Sequence, residues 1–212
     1  MQMLPDCLRL YLVTDAPERC RHGLQETVRR AIAGGVTLVQ YRREHADRAT
    51  MLQEAAQLRT LTRAAGIPLI VNNDVRLALE VEADGVHVGQ RDMPPAQARR
   101  LIGRGMVLGL SVSNAEEMRA VDPALVDYVG CGPVFPTASK GDAAPAVGTD
   151  GWARLAALCP LPLVAIGGIN AARARAIRAA GRCNGVAVVS AICGAQNPET
   201  AAAELLQALM QP

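Results

Sequence analysis

PLIVNNDVRLALEVEADGVHVGQ, residues 68–90, reads as a strand, a helix and a second strand in direct succession. PLIVNN (68–73) and GVHVG (85–89) lack the in–out alternation of a half-solvated strand, which is the pattern of parallel strands covered on both faces. Two parallel strands need a crossover between them, and DVRLALEVEA supplies a helical one.

The same unit recurs outward along the chain. Further apolar runs stand at LRLYLVT (8–14), TLVQYR (37–42), MVLGLSV (106–112), DYVGCGPV (127–134), PLVAIGG (162–168) and GVAVVSA (185–191). Helical signals fill the gaps. Leu52, Ala55, Leu58, Leu61 and Ala65 recur at helical spacing, and Gly66 supplies a left-handed stop. Ser113 with Glu116 has the spacing of a capping box. Asn170 opens and Gly181 closes AARARAIRAA, and Asn197-Pro198 opens AAAELLQAL. Eight strand–helix units predict a (β/α)8 TIM barrel, one α/β domain over residues 1–212. An open doubly wound sheet is the competing architecture, and the regularity of the units favours closure.

Composition narrows the function classes. Aromatic residues are 2% of the chain, too few for a base-stacking platform, and the net charge of +2 comes with no basic run. Nucleic acid and anionic membranes are therefore not expected partners. Six cysteines show neither a C-x-x-C pair nor zinc-like spacing with histidines, which points to reduced, mostly buried thiols. MQMLPDCLRL has no basic and apolar leader pattern, and no apolar run approaches the ~20 residues of a membrane span. The expectation is a cytoplasmic protein acting on small molecules, with homo-oligomer formation left open.

In a barrel of this kind the active face is built from the loops after the strands' C-terminal ends. Those loops carry Gln40, Arg42, Arg43 and Glu44; Asn72, Asn73 and Asp74; Gln90, Arg91 and Asp92; Ser111; Thr137, Ser139 and Lys140; Gly167-Gly168; and Val189-Ser190. Gly167-Gly168 is equally a tight turn or a phosphate cradle at a helix start, and Val189-Ser190 completes the cradle if it is one. Asp92 caps the helix near Pro94 or holds Mg2+, and one of Asn72 and Asn73 is expected to cap the helix that follows. His87 alternates with valines and reads as a packed, hydrogen-bonded core histidine; His22 and His45 receive no role. The residues alone therefore stop at a barrel enzyme that binds phosphorylated or diphosphate-bearing small molecules with Mg2+.

A resemblance carries the reading further. VQYR (39–42), VNNDVRLAL (71–79), ADGVHVGQRDM (83–93), LGLSV (108–112), DYVGCGPVFPTASK (127–140), VAIGGIN (164–170) and NGVAVVSAI (184–192) together resemble the thiamine-phosphate synthase family, in order along the whole chain. That family joins a hydroxymethylpyrimidine diphosphate to a thiazole phosphate, or its carboxylated form, releasing pyrophosphate. The resemblance implies a transferase in which Gln40 and Arg42 contact the diphosphate, Asn72 and Ser111 face the pyrimidine, and Asp92 ligates Mg2+. It further implies that Thr137 and Ser139 contact the thiazole substrate and Lys140 the diphosphate, with Gly167, Gly168, Val189 and Ser190 holding the thiazole phosphate. Arg42, Lys140 and Ser111 are the catalytic candidates.

Two positions depart from the family pattern. Glu44 stands where a lysine is usual, and a carboxylate beside a diphosphate repels it unless Arg43 compensates or Glu44 turns away. Asn73 replaces a metal-binding aspartate; its amide oxygen can still coordinate, but without charge, and the neighbouring Asp74 is a candidate substitute that the turn into the next helix points elsewhere. These departures motivate a rival reading, a non-catalytic thiazole-phosphate binder. A related thiazole tautomerase relies on a histidine two positions after the strand-5 serine, and Ser113 occupies that position here.

Overall fold

A strand covered on both faces finds its hydrogen-bond partners only in its neighbours, and eight such strands satisfy one another by closing a ring. The computed structural model describes residues 6–139, 141 and 144–210. Its strands are β1 (Leu10–Val13), β2 (Leu38–Tyr41), β3 (Leu69–Asn72), β4 (Gly85–Val88), β5 (Val107–Val112), β6 (Tyr128–Cys131), β7 (Leu163–Ile166) and β8 (Gly185–Val188). All pair in parallel and in chain order, and β1 closes on β8 with Leu10 opposite Val186, so the barrel prediction holds and the open sheet does not. The helices are α1 (Leu24–Ala33), α2 (Arg48–Ala64), α3 (Val75–Glu80), α4 (Pro95–Ile102), α5 (Ala115–Arg119), α6 (Gly148–Leu158), α7 (Ala171–Ala180), α8 (Ser190–Cys193) and α9 (Pro198–Met210).

Alternation along each strand divides the core in two. On β1, Leu10 and Leu12 join the large cluster between barrel and helices, whereas Tyr11 and Val13 join Leu38, Ile70, Tyr128 and Val164 in the barrel interior.

The N-terminal end of the barrel repeats one polar device four times. The residue just before each even-numbered strand accepts a backbone N–H of the preceding odd-numbered strand: Leu10 to Thr37 Oγ1 (3.0 Å), Leu69 to Asp84 Oδ2 (2.8 Å), Leu108 to Asp127 Oδ2 (2.7 Å) and Leu163 to Asn184 Oδ1 (2.8 Å). Each of these four residues returns its own N–H to the carbonyl of the same partner. Strand-end amides that would lose water on burial are satisfied reciprocally. Arg59 and Arg99 in turn hold Asp84 and Asp127, each at 2.6 Å.

Three local expectations shift. In α2 the buried stripe is Ala55, Leu58 and Thr62, while Leu52 and Ala65 are exposed; Gly66 takes the expected left-handed turn at φ 68°. The cap of α5 is Asn114, which accepts from Glu117 N–H, and Glu117 reaches back to the N–H of Ser113. Two overlapping S/N-x-x-E frames exist, and the chain uses the second. The cap of α3 is Asp74 rather than Asn72 or Asn73. Asn170, Gly181 and Asn197-Pro198 bound α7 and α9 as expected.

Candidate active site

The strands' C-terminal ends surround a cavity of about 820 Å3. Arg42, Glu44, Asn73, Asp92, Ser111, Thr137, Ser139, Gly167, Gly168, Val189 and Ser190 all line it. Gln40 lies buried in the barrel, Asn72 ends β3 outside the lining, and Arg43 turns elsewhere. Lys140 falls outside the described residues.

The split between Arg42 and Arg43 follows from strand alternation at the end of β2. Gln40, Arg42 and Glu44 project to the barrel side. The Arg42 guanidinium donates through Nη2 to the Ser139 carbonyl and lies 3.4 Å from Glu44. It thereby ties the loop after β2 to Ser139 in the loop after β6. Tyr41 and Arg43 project to the helix side, where Arg43 pairs with Glu18 at 3.2 Å and Glu54 at 3.7 Å, and Tyr41 donates to Glu54. Those carboxylates, Glu18 foremost, raise the Arg43 pKa, and Arg43 in turn lowers that of Glu18. Arg43 lines a smaller side cavity of about 330 Å3 instead of the main one.

Backbone geometry shapes the wall formed by β6, β7 and β8. Gly167 and Gly168 sit at φ 103° and 60°, and both need to be glycine. A Cβ on Gly167 would stand 2.5 Å from Pro133 Cβ, and one on Gly168 would stand 2.4 Å from the Pro136 carbonyl oxygen. Arg173 on α7 locks this turn from behind, donating to the Gly168 carbonyl and stacking 4.7 Å above the Phe135 ring.

On the opposite wall, Asp92 Oδ2 accepts from Gly89 N–H at 2.8 Å, so Asp92 folds back on its own loop and does not cap α4, whose cap is Pro94. Asn73 is left-handed at φ 62°, a conformation asparagine tolerates, and its N–H donates to the His87 carbonyl. Asp74 is committed to capping and to Arg48 at 2.6 Å. Among the described residues no group of three His, Cys, Asp or Glu side chains is able to hold a metal by itself. Mg2+ usually takes one or two protein carboxylates and completes its shell with waters and substrate phosphates. Asp92 and Asn73 facing one cavity fit that habit.

The cavity also takes in Gln90, Arg91, His45, Ser113 and Glu117. Gln90 donates to the Ser111 carbonyl, and Glu117 accepts from the Ser113 hydroxyl. Glu117 is the residue that position counting misses: it belongs to a helix, and its carboxylate reaches back across the Asn114 cap to Ser113. His87 is buried and hydrogen-bonded, as its place among valines predicts.

Comparison with known proteins agrees with this geometry. A family model described as thiamine monophosphate synthase matches residues 10–192. The chain is 49% identical over 201 residues to a thiamine-phosphate synthase of Azorhizobium caulinodans, covering 95% of this chain and 94% of that one. It is 50% identical over 203 residues to the Chloroflexus aurantiacus thiamine-phosphate synthase, covering 95% and 92%. Among solved structures, thiamine phosphate pyrophosphorylase from Pyrococcus furiosus superposes with a TM-score of 0.86 at 36% identity, over 96% of each chain.

Proposed function

The chain belongs to the thiamine monophosphate synthase family, a family of transferases, and from that premise we propose how its site divides the work. The substrates are 4-amino-2-methyl-5-hydroxymethylpyrimidine diphosphate and a thiazole phosphate; the products are thiamine phosphate and pyrophosphate. The bond from the pyrimidine methylene carbon to the bridging oxygen breaks, and its electron pair leaves with pyrophosphate. The electron-rich aminopyrimidine spreads the resulting positive charge, and the lone pair of the thiazole nitrogen forms the new carbon–nitrogen bond. No covalent enzyme intermediate is needed. The protein's task is to hold the two reactants in line and to meet the charge growing on the leaving group.

Arg42 serves the diphosphate, with Lys140 as its partner from the loop after β6. Gln40 supports that side from within the barrel, Ser111 faces the pyrimidine, and Asn72, at the end of β3 and outside the cavity lining, is given no direct contact. Thr137 and Ser139 contact the thiazole, whose phosphate rests on Gly167-Gly168 and Val189-Ser190. Asp92 and the Asn73 amide oxygen are the groups that would hold Mg2+. When bound, the ion would neutralise charge on the departing pyrophosphate. Glu44 rests against Arg42 and not against Arg43, so Arg43 is not the replacement for the family's lysine; its charge is spent on Glu18 and Glu54.

The observation that carries this reading is one cavity joining the Arg42 loop, the TASK loop and the glycine turn after β7. Six free cysteines, and no helix among the described residues long and apolar enough to cross a membrane, favour a cytoplasmic setting. The test is direct: purified protein with Mg2+ and both substrates is expected to form thiamine phosphate over many turnovers. Thiazole-phosphate binding with no product would instead support the non-catalytic binder.

A further inference from the structure

Beneath the cavity, one hydrogen-bond chain crosses the barrel interior. Gln40 Nε2 donates to the Tyr11 hydroxyl at 2.5 Å, and that hydroxyl lies 2.8 Å from the hydroxyl of Tyr128. Tyr128 Oη is 2.8 Å from His87 Nδ1, and His87 Nε2 is 2.9 Å from Ser111 Oγ. Five different strands supply the five residues. The first four are buried, and Ser111 reaches the cavity.

The barrel makes room for this chain. A Cβ on Gly109 of β5 would stand 2.3 Å from Tyr128 Cζ and 2.4 Å from His87 Nδ1, so any side chain there prevents the two rings from meeting. Burial also keeps both phenols protonated, raising their pKa values through loss of solvation.

The chain has a direction. An amide nitrogen only donates, so Tyr11 accepts from Gln40 and its own proton is free for Tyr128. Tyr128, having accepted from Tyr11, donates to His87 Nδ1. A neutral imidazole that accepts at Nδ1 carries its proton on Nε2, and that proton goes to Ser111 Oγ. If Tyr128 instead donated to Tyr11, neither of the two groups bonded to the Tyr11 hydroxyl, Gln40 Nε2 and Tyr128 Oη, would be left to accept its proton.

We propose that Tyr11 and Tyr128 are positioning residues for the transfer reaction: they fix His87 as the Nε2–H tautomer, so that Ser111 accepts from His87 and turns its own hydroxyl proton into the cavity. Ser111 is thereby a committed donor to a lone-pair acceptor on the pyrimidine substrate. The inference rests on the reading of Ser111 as a pyrimidine contact, and the tautomer itself does not. A hydroxyl left to rotate would spend part of its time offering a lone pair where a proton is needed.

The first test is the ring ¹⁵N spectrum of the full-length wild-type protein, with His87 assigned among the chain's three histidines by comparison with His87→Gln. The expected result is a protonated Nε2 and an unprotonated Nδ1. A protonated Nδ1 would mean that the chain runs the other way and overturns the proposal. This readout needs no turnover, so it separates the inference from the assignment of the reaction. The second test is Tyr128→Phe, expected to populate both tautomers and to lower kcat roughly tenfold, with KM for thiazole phosphate within twofold of wild type. Tyr11→Phe should act in the same direction, and the double variant should be no slower than Tyr128→Phe alone, because the residues act as one unit. Single variants that keep kcat within twofold of wild type, whatever their melting temperature, also overturn the proposal.

Discussion

Arg42 Nε and Glu44 Oε1 lie 3.4 Å apart on the loop that leaves β2, so the carboxylate leans on the cation proposed to serve the diphosphate. Glu44 is half exposed, and its partner is largely buried. In the proposed arrangement an incoming diphosphate competes with it for the guanidinium. Glu44→Gln should therefore lower KM for the pyrimidine diphosphate several-fold, and Glu44→Lys by about tenfold, with KM for thiazole phosphate unchanged. Initial rates at varied diphosphate concentration check this. Equal KM values in all three proteins would mean that Glu44 swings clear of Arg42 once substrate arrives.

Asp92 is the carboxylate of the pair that would hold Mg2+, and it also accepts the Gly89 N–H. Asp92→Asn keeps an oxygen for that amide and removes the charge. The expected outcome is an unchanged melting temperature, a loss of ~10²-fold or more in kcat at ordinary Mg2+, and a higher Mg2+ concentration for half-maximal rate. Chelation of Mg2+ should abolish wild-type turnover and leave thiazole-phosphate binding intact, as read by calorimetry.

The barrel was legible in the sequence because each strand is a nearly unbroken apolar run, and such runs leave a chain few alternatives to burial on both faces. Strand alternation also separates Arg42 from Arg43, a distinction that the count of cations near the site does not make. What escaped was set by tertiary contact. Tyr11 and Tyr128 are 117 residues apart, and nothing local shows that their hydroxyls meet. Thr62 takes a place in the buried stripe of α2 because its hydroxyl is satisfied by the Arg59 carbonyl, while Leu52 stays out. The cap of α5 slipped by one residue because Ser113 and Asn114 both precede a glutamate at the right spacing.

Gly168 offers a test of the wall proposed to hold the thiazole phosphate. At φ 60°, with the Pro136 carbonyl 2.4 Å from where a Cβ would stand, Gly168→Ala must push the turn and the loop after β6 apart. The strain should cost about 1–3 kcal/mol of stability. KM for thiazole phosphate should rise about tenfold or more, and KM for the pyrimidine diphosphate should move by less than threefold. Comparable increases in both constants would mean that the glycine turn shapes the whole site and not one half of it.

Asp127 tests the opposite end of the barrel, where the polar device contributes stability and touches no substrate. Its carboxylate accepts the Leu108 N–H at 2.7 Å and pairs with the buried Arg99 guanidinium at 2.6 Å. Asp127→Ala leaves a strand amide and a cation without their acceptor. Arg99 keeps its bonds to the carbonyls of Gly103, Met106 and Leu125, so the charge is not stranded outright. The loss should be about 1–3 kcal/mol, and Asp127→Asn should recover part of it by restoring an oxygen for Leu108. Urea titration measures the loss. Both variants should keep wild-type kcat and KM at a temperature well below unfolding, because Asp127 lies at the N-terminal end of β6 and the cavity opens at the other. A fall in kcat without a fall in stability would show that the two ends of the barrel are coupled.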